Sequence, residues 1–232
     1  MFNLLKAELY KLFYSRYFWA ILVFHFVLSS IFLLDSKHST VNLFFASLYN
    51  TPYLFFLIIV FAALYVGDDL GSRTLYTDIA AGHKKWQVVF AKAIIYQSAC
   101  IVILALPLGI HGWIGKYVIA EPFSAIEGTA VTFALVICSI LAMCSLPFFL
   151  AFFLRDMGKT LAVSMVLFFI MIFLMNGDET FHITKRLPMG QLRLISLQQL
   201  PMADLSFAVV DGLWMIILYT ASMFVFCNTD LK

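Results

Sequence analysis

The chain has 232 residues, of which 63% are hydrophobic and only 12% charged. Soluble globular domains are about half apolar and one quarter charged, so this composition excludes a soluble fold. The formal net charge is only +2 and the basic residues form no continuous patch, which excludes a typical nucleic-acid-binding protein. Charged clusters separated by long apolar runs predict a polytopic membrane protein.

The chain begins with a predicted interfacial helix over residues 1–16. Apolar side chains recur there at three- and four-residue spacing, and charged side chains fall mostly on the other face. The apolar set is Phe2, Leu5, Leu9, Leu12 and Phe13, and the charged set is Lys6, Glu8 and Lys11. We expect this helix to lie along the cytoplasmic surface of the membrane.

Six apolar segments follow, and most are long enough to cross a hydrocarbon core of roughly 30 Å at about 1.5 Å per residue. The fifth is marginal. The segments are 17–34, 43–66, 88–110, 131–154, 161–175 and 207–227. The sequence therefore predicts one all-α integral membrane domain, residues 1–232, with six transmembrane helices.

The segment 176–206, between the last two spans, is predicted to lie on the outer side. Leu187-Pro188-Met189 and Leu200-Pro201-Met202 bracket a mildly apolar stretch that is too short to cross the membrane. We expect short re-entrant or interfacial helices there.

Lysine and arginine residues are distributed unevenly between the two sides that six spans define. Ten fall on one side and five on the other, and cytoplasmic loops are the ones enriched in these residues. Both termini are therefore predicted to be cytoplasmic. The ten are Lys6, Lys11, Arg16, Arg73, Lys84, Lys85, Lys92, Arg155, Lys159 and Lys232, and the five are Lys37, Lys116, Lys185, Arg186 and Arg193.

The sequence contains no pattern typical of an enzyme. Gly158-Lys159-Thr160 matches the end of a phosphate loop, but Phe153 stands where the loop requires a glycine, and no strand precedes it. We interpret this stretch as a basic turn between two spans. Protease and hydrolase motifs and paired intramembrane carboxylates are missing, and the four cysteines lack metal-ligand spacing. We predict no catalytic, cofactor-binding or metal-binding residues.

The predicted cytoplasmic loop 67–86 connects the second and third spans. Ser72 is expected to cap a short helix that runs to Ala81, with Gly82 in the left-handed position after it.

Leu75 and Ile79 then share one face of this helix, beside Tyr76. A small exposed apolar face held by two spans suits docking in a groove of another protein. The alternative is an ordinary interfacial loop that contacts only lipid headgroups, and the residues alone favour neither interpretation.

This loop resembles that of ABC-2 type permeases. In that family an acidic residue, G-x-x-T-L, a glycine before basic residues and a lysine opening the next span follow in order. The matching residues are Asp69, Gly71 or Ser72, Thr74-Leu75, Gly82, Lys84-Lys85 and Lys92. Two departures are Asp69, where the family often has glutamate, and Arg73, where it has the glycine before the threonine.

Two further segments resemble the same family. One is the opening stretch Lys6–Leu12 with Arg16, and the other is Leu187-Pro188-Met189 before the last span. The resemblance extends over essentially the whole chain in length, span count and span order.

The resemblance implies the fold of type V exporters and a permease subunit of an ATP-driven ABC exporter. Such a subunit works as a homo- or heterodimer in the bacterial cytoplasmic membrane. A separate ABC ATPase dimer binds the ATP and Mg²⁺. The expected cargo is hydrophobic or amphipathic, such as an antimicrobial or cytolytic peptide or a drug, as in peptide-antibiotic and lantibiotic export or immunity permeases.

In that family the loop helix transmits closure of the ATPase to the spans. The residues expected to do so here are Asp69, Arg73, Thr74, Leu75, Tyr76, Asp78, Ile79 and Gly82.

Two other functions remain open. One is a membrane assembly or regulatory protein that transports nothing, and the other is an ion-driven secondary carrier. Buried carboxylates in mid-span would favour the carrier, and the sequence gives none. Co-purification of an ATPase subunit would distinguish the exporter.

Three polar residues within predicted spans need their own interpretation. His25, near the middle of the first span, is expected to hydrogen-bond to a neighbouring helix rather than contact cargo, because an unpaired polar group in hydrocarbon is costly. Lys92 is expected to extend to the cytoplasmic headgroups. Asp211 either lines a cavity or faces the outside water.

Overall fold

The computed structural model describes residues 1–36, 42–120, 129–177, 182–197 and 205–228. Regular structure in these ranges is entirely helical, which confirms the all-α prediction. The helices are α1 Phe2–Tyr14, α2 Arg16–Ser36, α3 Leu43–Leu54, α4 Phe56–Ala62, α5 Asp68–Gly71, α6 Thr74–Ala80, α7 Lys85–Tyr117, α8 Thr129–Leu154, α9 Met157–Gly177, α10 Pro188–Ser196 and α11 Leu205–Cys227, with a π-helical turn Ala63–Gly67 and a 3-10 turn Thr184–Arg186.

Five of these helices, α2, α7, α8, α9 and α11, are long and apolar enough to cross a membrane. A sixth span results if α3 and the helical stretch Phe56–Gly71, bent by 52° relative to each other, are counted as one. The bend follows Pro52, which has no N–H to donate and whose ring disturbs the preceding turn.

Two predicted boundaries are wrong. Helix α7 continues to Tyr117, about two turns beyond the predicted end. Helix α9 begins at Met157, so the Gly158-Lys159-Thr160 stretch lies in its first turn rather than in a turn between spans. The reason is a cap: the Lys159 backbone N–H donates to the Asp156 carboxylate over 2.8 Å, which stabilises the helix start.

Helix α1 packs against α7 through Leu4, Glu8 and Leu12. Of the predicted apolar set, Leu12 is buried in this contact, whereas Phe2 and Phe13 are exposed. The exposed apolar residues are therefore free to contact lipid, and the face with the buried glutamate contacts the protein.

Helix α10 confirms that the segment before the last apolar helix contains a short helix. Pro188 is its first residue, where a missing N–H carries no penalty. The helix packs against α3 and α8 and buries Gln191 and Leu192 completely. The second bracket, 200–202, lies outside the described residues.

Candidate functional site

A group of buried charged side chains lies where α1, α5 and α7 meet. The Lys92 ammonium donates to the Glu8 carboxylate over 2.9 Å and also to Oδ2 of Asp69. Lys11 donates to the other oxygen, Oδ1, of the same aspartate. We refer to Glu8, Lys11, Asp69 and Lys92 as the charged cluster.

The cluster contains two carboxylates and two ammonium groups, so its formal charges cancel. Lys92 is fully buried, and Glu8 and Asp69 are 6% and 4% exposed. Removing charges from water costs several kcal/mol per ion, and only close pairing with hydrogen bonds compensates for it. The three helices must therefore stay together for these charges to remain paired.

Tyr65 completes the surroundings of Lys92. Its hydroxyl donates to the Glu8 carboxylate over 2.7 Å, and the Lys92 ammonium lies 4.0 Å from the centre of its ring. The same ring stacks on Phe61, which stacks in turn on Tyr96 of α7. A charged cluster thus lies on top of an aromatic core.

The loop helix α6 contacts the cluster directly. The hydroxyl of Thr74, its first residue, lies 2.9 Å from Oδ1 and 3.1 Å from the backbone oxygen of Asp69. Burial and the nearby Glu8 carboxylate raise the pKa of Asp78, which lies one helical turn further along α6. A displacement of α6 would therefore act on α1 and α7 through the cluster.

The predicted cap at the start of α6 is wrong, and the predicted left-handed glycine after its end is confirmed. Ser72 does not cap it; its hydroxyl donates to the Asp68 carbonyl oxygen over 2.7 Å and closes α5. The residue before α6 is Arg73, whose φ of 60° lies in the left-handed region that favours glycine. Gly82, with φ 95°, has the predicted left-handed backbone.

The prediction that α6 has an exposed apolar face is wrong. Leu75 is 1% exposed and belongs to the protein's own core, and Ile79 is half-buried against that core. Tyr76 stacks on Phe226 of α11. The exposed residues from Arg73 to Ala81 are Arg73, Thr74, Thr77, Ala80 and Ala81.

The predicted positions of two members of the charged cluster, Lys92 and Glu8, are wrong. Lys92 was expected to reach the headgroups, and it is buried because Glu8 and Asp69 offer it two carboxylates inside the protein. Glu8 was placed on the polar face of α1. Its spacing of four residues from both Leu4 and Leu12, which are buried with it, is the signal that could have identified it.

His25 is buried, and neither ring nitrogen has a hydrogen-bond partner among the described residues. The prediction that His25 hydrogen-bonds to a neighbouring helix is therefore wrong. The paired histidine of this region is His111 of α7, which lies 3.0 Å from Ser47 Oγ of α3 and 3.1 Å from Ser30 Oγ of α2. The Ser30 hydroxyl donates to the Phe26 carbonyl, so His111 Nε2 donates to Ser30 and Nδ1 accepts from Ser47.

Asp211 does not face the outside water. Its side chain is fully buried, and its Oδ2 lies 2.6 Å from the hydroxyl of Ser139 in α8. Its second oxygen, Oδ1, has no partner among the described residues. The buried position follows from the packing of α11 along α8, which places this face of α11 inside the bundle.

The sequence matches no protein-family model and no curated protein.

Proposed function

We propose that this chain is the permease subunit of an ATP-driven ABC-2 type exporter in a bacterial cytoplasmic membrane. A separate ABC ATPase dimer binds and hydrolyses ATP, and a second permease subunit completes the pathway. The cargo is hydrophobic or amphipathic. The observation that carries this proposal is the charged cluster, which links the loop helix α6 to α1 and α7.

The cluster brings together three motifs that resemble the family separately. Glu8 and Lys11 come from the opening stretch, Asp69 from the loop, and Lys92 from the start of the next span. Glu8 and Lys92 are 84 residues apart in sequence, and Lys11 and Asp69 are 58 apart. Their convergence supports the resemblance, because motifs that share one buried site have a common physical reason to occur together.

The loop geometry gives independent support. The family has a glycine where this chain has Arg73, and Arg73 adopts the left-handed backbone that glycine favours. The position thus has the same conformational demand with a different residue. Gly82, at the other end of α6, meets a similar demand.

The surface available to an ATPase is the exposed side of α6 rather than Leu75. Because Leu75 is part of the core, a charge there would unfold the loop and test nothing about docking. Thr77→Glu and Ala81→Glu place a charge on the exposed side, where burial of an unpaired charge in an interface costs on the order of 2–5 kcal/mol. Lys84→Ala is the matched control, since it changes one exposed charge next to the same helix.

The experiment is purification of the tagged chain from membranes of its source cells, followed by identification of co-purifying proteins and measurement of ATP hydrolysis. We expect a phosphate-loop ATPase with the wild type and with Lys84→Ala, and its loss with Thr77→Glu and Ala81→Glu. Recovery of the chain without any ATPase would favour a non-transporting assembly protein. Recovery of the ATPase with all variants alike would exclude α6 as its docking site.

A second candidate, the ion-driven carrier, gains one observation from the structure. Asp211 is a buried carboxyl group within an apolar helix, and ionisable groups in such positions are commonly functional. In vesicles, transport that continues without ATP and stops when the proton gradient is dissipated would favour the carrier.

A further inference from the structure

The surroundings of Asp211 contain more hydrogen-bond acceptors than donors. The Ser139 hydroxyl lies 2.6 Å from Asp211 Oδ2 and 3.1 Å from Gln191 Oε1, and both contacts have hydrogen-bond geometry. A hydroxyl has one hydrogen and can donate to only one of two acceptors. One further proton is required between these three side chains.

The orientation of the Gln191 amide is fixed, so it cannot supply that proton. Its Nε2 donates to the backbone oxygen of Lys185 over 3.0 Å. Rotating the amide would give Ser139 a donor but would place Oε1 against the Lys185 oxygen, two acceptors facing each other. The remaining source of a proton is the Asp211 carboxyl group itself.

We propose that Asp211 is a proton-binding site and that its acid form holds helix α10 against α8 and α11. The Asp211 carboxyl donates from Oδ2 to Ser139, and the Ser139 hydroxyl then donates to Gln191. Each side-chain nitrogen and oxygen of Asp211, Ser139 and Gln191 then has a hydrogen-bond partner except Asp211 Oδ1, which is a neutral carbonyl oxygen in the acid form. In the ionised form the same atom would share a full negative charge without a donor among the described residues.

Charged groups near Asp211 do not neutralise it. The titratable and charged side chains nearest to it on the elements packed around it are Cys138 of α8, Arg193 of α10, and Lys185 and Arg186 of the 3-10 turn. Helix α7 meets α11 at Gln97, which contacts Tyr219, and at Lys85, which donates to the backbone oxygen of Cys227, about four turns further along α11 than Asp211. Arg193 donates to Asn176 over 2.6 Å, and Lys185 and Arg186 are exposed. Within the described chain, Asp211 forms no ion pair.

Loss of the proton changes the contacts of α10. The Ser139 hydroxyl would turn to the ionised carboxylate, which is the stronger acceptor. Gln191 Oε1 would then be left buried without a donor, and burial of an unpaired acceptor is unfavourable. Ionisation of Asp211 therefore weakens the attachment of α10. This inference does not depend on the proposed exporter function.

The direct test is infrared difference spectroscopy of the purified full chain at about pH 5, which is above the pKa of an ordinary aspartate. The wild type should show the C=O band of a protonated carboxylic acid that shifts in D₂O, and Asp211→Asn should lack it. Asp68→Asn, which removes an exposed carboxyl, is the matched control and should leave the band unchanged. A band that is absent from the wild type, or retained in Asp211→Asn, would overturn the proposal.

Amide hydrogen exchange tests the effect on α10. Asn at position 211 donates to Ser139 at any pH, so exchange in α10 should match the wild type at about pH 5 and be slower than in the wild type at about pH 8. Equal exchange in the wild type and in Asp211→Asn at both pH values would overturn the role of Asp211 in attaching α10.

If Asp211→Asn does not fold, Ser139→Ala keeps the carboxyl and removes its acceptor. The carboxylic acid band should then shift in frequency, and an unshifted band would overturn the proposal.

Discussion

Lys92 donates to Glu8 over 2.9 Å, so a charge in the first helix and a charge near the start of α7 share one buried site. Asp69 accepts from the same ammonium and links the loop between them. Each member of this site is in a low-dielectric environment in which an unpaired charge is strongly unfavourable.

Lys92→Met should lower the stability of the chain substantially. It leaves the two carboxylates of Glu8 and Asp69 buried with only Lys11 to compensate, and breaking a buried pair in this way costs about 3–5 kcal/mol. The double variant Glu8→Gln with Lys92→Met leaves the Lys11–Asp69 pair neutral and should recover part of the loss. Thermal unfolding in detergent of both single variants and the double variant gives the coupling energy. Purely additive effects would show that the two charges do not interact.

The two histidines near the α2–α7 contact should respond oppositely to replacement. His25→Leu removes two buried nitrogens without partners and should stabilise the chain by roughly 1–3 kcal/mol. His111→Leu leaves Ser30 and Ser47 without their shared partner and should destabilise it by a similar amount. Thermal unfolding of the two variants in parallel tests both. A destabilised His25→Leu protein would indicate that the imidazole has a partner, such as a cargo molecule or a second subunit.

Gly190→Ala should loosen the packing of α10 on the 3-10 turn Thr184–Arg186. A Cβ at this position would overlap the backbone carbonyl group of Thr184, which cannot move away without distorting the 3-10 turn. Overpacking of this kind costs about 1–3 kcal/mol. Gly109→Ala, within α7, is the control, because its Cβ meets no atom within 4 Å and should stabilise the helix by up to about 1 kcal/mol. Limited proteolysis and thermal unfolding compare the two, and equal effects would contradict the packing of α10 on the 3-10 turn.

Single cysteines test the predicted orientation. Lys84 and Lys185 are both exposed and lie on opposite predicted sides of the membrane. In a version without native cysteines, Lys84→Cys should react with a membrane-impermeant thiol reagent only after cells are opened, whereas Lys185→Cys should react from outside. Labelling of both from outside would contradict six spans. The native residues to replace are Cys100, Cys138, Cys144 and Cys227.

The positions of the helices follow from the sequence because a membrane requires about 20 apolar residues per span and leaves no backbone group unpaired. The apolar segments therefore predict an all-helical chain, and the predicted spans overlap the long apolar helices of the structure. The short helix before the last span and the left-handed Gly82 were also predictable, since Pro188 and Gly82 have local conformational preferences.

Which side of each helix faces the protein was decided only by tertiary structure. In a membrane, lipid-facing and protein-facing surfaces are both apolar, so hydrophobic spacing does not distinguish them. The apolar set of α1 includes Phe2 and Phe13, which are exposed, and the structure buries Leu4, Glu8 and Leu12. Leu75 lies in the loop outside the predicted spans; it was expected to be exposed and is in the core, because folding brings the loop against the other helices.

The polar sites were beyond sequence reasoning for a related reason. The two carboxylate partners of Lys92 are 84 and 23 residues away in the sequence. The partner of Asp211, Ser139, lies on α8, and Ser139 also contacts Gln191 of α10. A buried charge is tolerated only where folding provides its partner. The sequence determined which residues carry charge and which segments are apolar, and the packing of the helices determined which charges meet.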